Sequence, residues 1–155
     1  MTQTGIIGVI SDTHGLMRPE ALDALAGSNL IIHAGDVGKI DILETLETIA
    51  PVVAIKGNID NRETEHLPDT RTVEHNGLRI YILHDLKALN IVPSQEYYDV
   101  VISGHSHKPL ITETDGVLYL NPGAAGHRRF KLPISVALLN KIEGKPVAEI
   151  IELSI

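Results

Sequence analysis

Seven oxygen- and imidazole-bearing residues recur at the ends of short apolar runs: Asp12 and His14, Asp36, Asn58, His84, then His105 and His107. The first pair stands in IIGVISDTHG, residues 6–15, where Ile and Val pass directly into Ser-Asp-Thr-His-Gly. Asp12 and His14 are two residues apart, so in extended backbone both side chains can turn toward one point. A carboxylate beside an imidazole is a common ligand pair for divalent transition metals. Each residue also has a plain structural use: an Asp36 helix cap, an Asn58 turn, a hydrogen-bonded core histidine at 84 or 105. Repetition argues for chemistry instead, because five separate strand ends supply the same kinds of donor. Seven donors exceed what one ion needs and suit two ions sharing a carboxylate. The chain has no cysteine, so any metal is held by oxygen and imidazole alone.

The elements that position these donors follow from periodicity. Ile6–Ile10, Leu30–Ala34 and Val52–Lys56 are apolar runs suited to strands buried on both faces. Between them, Arg18-Pro19-Glu20 opens a helix through Ala26, and residues 39–50 carry Ile40, Leu43, Leu46 and Ile49 at helical spacing before Pro51. This β–α–β–α–β start predicts parallel strands with right-handed crossovers, each strand ending close to a Gly and a polar residue. From residue 70 the rhythm changes to hairpins: 70–75 and 78–83 around Asn76-Gly77, 110–114 and 117–120 around Asp115-Gly116, and 134–140 and 147–153 around Glu143-Gly144. Residues 61–69 read as a surface loop, 86–98 as a short helix or irregular segment, and 100–103 as a strand entering Gly104-His105-Ser106-His107.

Composition bounds the function. At 155 residues, 43% hydrophobic and 21% charged, the chain fits one soluble globular domain over residues 1–155. The opening residues show no basic leader and no apolar run reaches a membrane span, so a cytoplasmic protein with no membrane partner is expected. A formal charge of −7 and 3% aromatic residues argue against extended nucleic-acid binding. Bound cations can still reverse the field locally and admit a phosphorylated substrate.

Asp12-x-His14, Gly35-Asp36, Gly57-Asn58, His84 and Gly104-His105-Ser106-His107 together resemble the signature set of the calcineurin-like metallophosphoesterase superfamily. The short chain and the Asn121-Pro122-Gly123 loop are similar to its small phosphodiesterase branch, the YfcE/MJ0936-like proteins. The resemblance runs from about Ile6 to Gly123. It implies an α/β fold, a four-layer α/β/β/α sandwich of two packed mixed sheets flanked by helices, with a dinuclear site at one edge. By that pattern Asp12, His14 and His107 hold one ion, Asn58, His84 and His105 hold the other, and Asp36 bridges. It implies a hydrolase, a metal-dependent phosphodiesterase or phosphatase acting on a small organic phosphoester. Asp36, Asn58 and His105 then serve catalysis, with metal-bound hydroxide as the nucleophile. Two ions roughly 3.5–4 Å apart can clamp a phosphoryl oxygen and acidify a water. Mn²⁺ suits the donors, as do Fe²⁺, Ni²⁺ and Zn²⁺.

One position departs from the larger members of the superfamily. They usually read Gly-Asn-His-Glu or Gly-Asn-His-Asp; here the stretch is Gly57-Asn58-Ile59-Asp60. Ile59 cannot donate a proton to a leaving group, which favours substrates with good leaving groups. Arg128 and Arg129, after the Asn-Pro-Gly turn, suit two-pronged binding of phosphate oxygens. His33 reads as a histidine that packs or supports a ligand from behind, not as a ligand itself, His66 and His75 as surface residues, and Asp60 and Asp85 as carboxylates able to orient a ligand histidine. The alternative function is a non-catalytic protein-binding scaffold on the same fold, like the retromer subunit Vps29. Either role leaves room for a homo-oligomer.

Overall fold

A computed structural model describes residues 5–155 as two five-stranded sheets packed face to face. The first contains β1 (Ile7–Ile10), β2 (Leu30–His33), β3 (Val52–Ala54), β9 (Ser135–Ile142) and β10 (Lys145–Glu152), in the order β10-β9-β1-β2-β3. Its β1, β2 and β3 are parallel, as the crossovers require, and the β9–β10 hairpin adds antiparallel strands on the β1 side. The second contains β4 (Thr70–His75), β5 (Leu78–Leu83), β6 (Val100–Ile102), β7 (Leu110–Thr114) and β8 (Val117–Asn121), in the order β4-β5-β6-β8-β7. Parallel pairs β5–β6 and β6–β8 sit between antiparallel edges, so both sheets are mixed.

Strand alternation builds the interior. Ile7, Val9 and Ile32 face Ile80, Ile82, Ile102 and Leu120 across the gap between the sheets. The opposite face of the first sheet, with Ile10 and Ile31, packs on α1 (Pro19–Leu25) and α2 (Ile40–Glu47). Ala21 and Leu25 of α1 and Ile42, Leu43 and Leu46 of α2 are buried there, one stripe of each helix. Pro19 stands at the start of α1, where its missing N–H costs nothing. Each hairpin turns on paired positive φ values, at Asn76-Gly77, Asp115-Gly116 and Glu143-Gly144. Two left-handed residues match the twist of the flanking strands, the usual reason for Asn-Gly and Asp-Gly at such turns.

The outer layer of the second sheet is thinner than a four-layer sandwich leads one to expect. Leu83, Val101 and Val117 form the small buried cluster on that side, beneath short 3-10 turns at Leu86–Ala88 and Pro93–Glu96. Pro93 and the left-handed Tyr97 prevent the segment from extending into an α-helix. Among the described residues, no helix is long and apolar enough to cross a membrane.

Candidate metal centre

The carboxyl ends of β1, β2, β3, β5 and β6 lie at one edge of the paired sheets, and the loops leaving them carry the seven donors. The Asp12 loop is tied to the Asp36 loop by backbone bonds, Asp12 N to Gly35 O and His14 N to Asp36 O. Asp12, His14, Asp36, His105 and His107 all have φ between 48° and 72°. Non-glycine residues in the left-handed region cost on the order of 1–3 kcal/mol each, so the surrounding structure is holding them there. The payoff is direction. Each kink turns a side chain out of its strand path and into the common edge.

Close approach explains the glycines. A Cβ at Gly57 would overlap the Asp36 carboxylate, and one at Gly104 would overlap Ser11 Oγ. Any larger residue at either position would drive the loops apart.

Two donor trios converge within 4.8 Å: Asp12, His14 and His107, and Asp12, Asp36 and His84. Asp12 is buried and common to both. Its Oδ1 lies 3.8 Å from His14 Nε2, 3.7 Å from His84 Nε2 and 3.4 Å from His107 Nε2. Asp36 Oδ2 stands between His14 and His84, at 3.4 and 3.2 Å from their Nε2 atoms. Each carboxylate spends one oxygen on the protein and turns the other inward. Asp12 Oδ2 accepts from Ser11 Oγ at 2.7 Å and His105 N at 3.1 Å, and Asp36 Oδ1 accepts from Ile59 N at 3.0 Å.

The histidine tautomers follow the same plan. His84 Nδ1 donates to Ala34 O at 2.7 Å, which leaves its Nε2 lone pair facing the carboxylates. Asp12 Oδ1, His14 Nε2 and His84 Nε2 are buried and have no hydrogen-bond partner among the described residues. Buried polar atoms are seldom left so, and three gathered about the Asp12 and Asp36 carboxylates call for a cation. This donor set of oxygen and imidazole therefore fits a divalent metal.

Electrostatics agree. Burial alone would raise the Asp12 and Asp36 carboxyls, but the facing imidazoles outweigh it and hold both well below the usual carboxylate range. The two carboxylates push His14 up to about 9, and Asp36 raises His84 against the opposing effect of burial. The pocket attracts positive charge, and a metal competes with protons for the same lone pairs.

The remaining expected donors are placed differently. Asn58 and His105 are exposed. The His105 ring lies 5.3 Å from that of His84, and its Nε2 lies 3.6 Å from Asp85 Oδ2. Asp85 thus adjoins a histidine, as its position after His84 suggested. Asp60 does not: it is buried and accepts from the backbone N–H groups of Val37, Gly38 and Gly57 and from Thr64 Oγ1. It binds the Asp36 loop to the Asn58 loop. Arg128 and Arg129 are exposed, and Arg128 Nη1 donates to Leu132 O at 3.3 Å. Their loop begins at Gly126, which packs against the Thr13 backbone beside the centre.

Two residues outside the donor set hold its loops, and of these only Asn121 has a role with no signal in the sequence. Asn121 Nδ2 donates to Gly104 O at 2.9 Å and Ser106 Oγ at 3.1 Å, which pins the His105–His107 loop. His33 is fully buried, accepts from Gly35 N at 3.2 Å and meets Thr13 Oγ1 at 3.0 Å through Nε2. A packed or supporting role is what its place inside LIIHAGD suggests, and the bracing of both carboxylate loops is that supporting role; the tertiary fold brings the partners Thr13 and Gly35 to His33. Burial pushes its pKa down to about 4, so the ring is neutral at pH 7.

The sequence profile of the calcineurin-like phosphoesterase superfamily domain matches residues 6–144. The chain belongs to the calcineurin-like phosphoesterase superfamily. It is 40% identical to a probable metallophosphoesterase of Methanothermobacter thermautotrophicus, over 94% of this chain and 91% of that one. It is 30% identical to phosphodiesterase MJ0936 of Methanocaldococcus jannaschii, over 76% of this chain and 82% of that one. The solved structure of Vps29 from Entamoeba histolytica in complex with Zn²⁺ matches with a TM-score of 0.72 at 24% identity, covering 96% of this chain and 99% of the other. At that identity the likeness speaks for the fold alone. Membership in the calcineurin-like superfamily implies divalent-metal binding and phosphoesterase chemistry, and the two donor trios are where such a metal fits.

Proposed function

We propose that this chain, acting as one cytoplasmic domain, is a dinuclear metal-dependent phosphodiesterase for a small organic phosphoester. The observation that carries the reading is the convergence of three unpartnered buried atoms, Asp12 Oδ1, His14 Nε2 and His84 Nε2. Asp12, His14 and His107 would hold one ion and Asn58, His84 and His105 the other, with Asp36 between them. The donor chemistry suits Mn²⁺ first, with Fe²⁺, Ni²⁺ and Zn²⁺ as alternatives. When bound, such ions polarise a phosphoryl oxygen and acidify water for hydrolysis of the P–O bond. The chain contributes orientation and charge. Two carboxylates against two dications leave the edge net positive, which draws a phosphoester to a protein of charge −7. Arg128 and Arg129 offer planar N–H pairs to its oxygens. Ile59 gives Asp36 a backbone N–H but no proton to a leaving group, so activated esters react fastest.

Metal-stripped protein assayed on bis-p-nitrophenyl phosphate and p-nitrophenyl phosphate, with and without Mn²⁺, tests this. Metal-dependent turnover, faster on the diester and lost in Asp36→Ala and His105→Ala, supports it. Absence of turnover with every divalent metal, in protein shown to be folded, would overturn it. That outcome would favour the second reading, a protein-binding scaffold, which rests on the fold shared with Vps29.

A further inference from the structure

The thin outer layer of the second sheet has a consequence at the metal centre. A cavity of about 470 Å³ opens there, with His105 in its lining. Leu86, Leu110 and Tyr119 make its walls mainly apolar, and Lys87 and Lys108 add positive charge. Leu86 and Leu110 are 37% and 48% exposed, more than leucines seeking burial in a core. On the other side of Asp85, which borders both, a polar cavity of about 480 Å³ is lined by Lys56, Asn58, Thr70 and His84. The second donor group is therefore flanked by one apolar and one polar space, each within the size range of small-molecule sites.

We propose that the apolar cavity receives an ester substituent of the substrate, a planar ring or a short chain of similar size. This rests on the phosphoesterase reading and narrows its substrate class to phosphoesters with an apolar group. The argument is continuity. A phosphoryl group held at His84 and His105 has the cavity as its immediate neighbour through His105. Exposed Leu86 and Leu110 lose water contact when a ring enters, whereas a small polar substituent gains nothing there. The two lysines complement the negative charge that a phosphoester keeps.

Phenylphosphonate and methylphosphonate test the cavity, because their P–C bonds do not hydrolyse and, titrated at a pH where both are dianions, they carry equal charge and differ in the group to be buried. Titration calorimetry on the Mn²⁺-loaded protein should show phenylphosphonate binding about tenfold or more tighter, the effect of removing a ring's apolar surface from water. In Leu110→Asp and in Leu86→Asp, both at exposed positions, that ratio should fall toward one. Equal affinities in the wild type, or a ratio that survives both substitutions, would overturn the proposal. Turnover of bis-p-nitrophenyl phosphate without a phenyl preference would overturn the cavity assignment and leave the hydrolase reading standing. A phenyl preference without turnover of either nitrophenyl ester would support the cavity as a ligand site and remove the hydrolase reading.

Discussion

The two halves of the proposed metal centre differ in how much of their geometry folding has already fixed. Asp12 and His107 are buried, and His14 keeps 28% of its side chain in solvent. They are held by backbone ties between loops and by the hydrogen bonds to Asp12 Oδ2. In the other half His84 is fixed by its bond to Ala34 O, and the His105 backbone by its N–H on Asp12 Oδ2, but the side chains of Asn58 and His105 are not. Asn58 and His105 are exposed, and Asn58 makes no side-chain hydrogen bond among the described residues. A ligand ordered by folding contributes its full affinity, whereas one ordered at the moment of binding first loses rotamer freedom. On the two-ion proposal, the same edge offers a prepared position and an adaptable one. Two binding steps of unequal affinity are the expected result.

Asp36 touches both halves, so its loss has the largest effect. Partners one layer outside a metal typically matter about 10–100-fold. Asp36→Ala, which removes an inward-facing carboxylate between His14 and His84, should lower phosphoesterase activity on the order of a thousandfold. Calorimetric Mn²⁺ titration should show both steps weakened; a tight first step surviving intact would mean that Asp36 serves one half alone.

Asp60→Ala probes the frame instead of the donors. It leaves three buried or half-buried backbone N–H groups and Thr64 Oγ1 without their acceptor. A destabilisation of about 3 kcal/mol is expected, read from urea unfolding of the metal-free protein. Asp60→Asn should recover part of it, because one oxygen can still accept.

Acid acts on the prepared half through His33. Its pKa falls from about 6.5 unfolded to about 4 folded, so folding excludes the proton. The stability His33 contributes is fully present above pH 6.5 and is lost as pH falls through 4, on the order of 3 kcal/mol in all. His33→Gln, which does not titrate, should flatten that part of the unfolding profile; an unchanged acid slope would assign it to other groups.

The smallest effect separates the halves most cleanly. Asn58→Ala should leave the first Mn²⁺ step in place and weaken the second about 10–50-fold, with activity partly recovered at high Mn²⁺. Equal loss of both steps would break the distinction between prepared and adaptable positions.

Much of this was legible without coordinates. The β1–α1–β2–α2–β3 order follows from apolar runs separated by helical spacing, and three hairpins follow from Asn-Gly, Asp-Gly and Glu-Gly turns with left-handed backbones. The donors were visible because strand ends in parallel sheets share an edge, and residues there converge whatever lies between them. Asp60 serves backbone amides and not a histidine, and nothing local says that a carboxylate two residues after Asn58 reaches back to Val37 and Gly38. Asn121 likewise works on a loop 17 residues earlier, through a parallel pairing that no turn signal encodes.

The sequence by itself determined which chemistry is available: oxygen and imidazole donors without thiolates, five strand ends to carry them, and glycines where loops must approach closely. Periodicity and residue type set these locally, so they can be read from the chain. Only the tertiary structure decided that Asp12 is common to both trios, that Asn58 and His105 face solvent, and that the second sheet keeps an open apolar face beside His105. Those facts depend on contacts between segments far apart in the chain and on what covers each sheet. Burial and distance of that kind come from packing, which no single stretch of sequence contains.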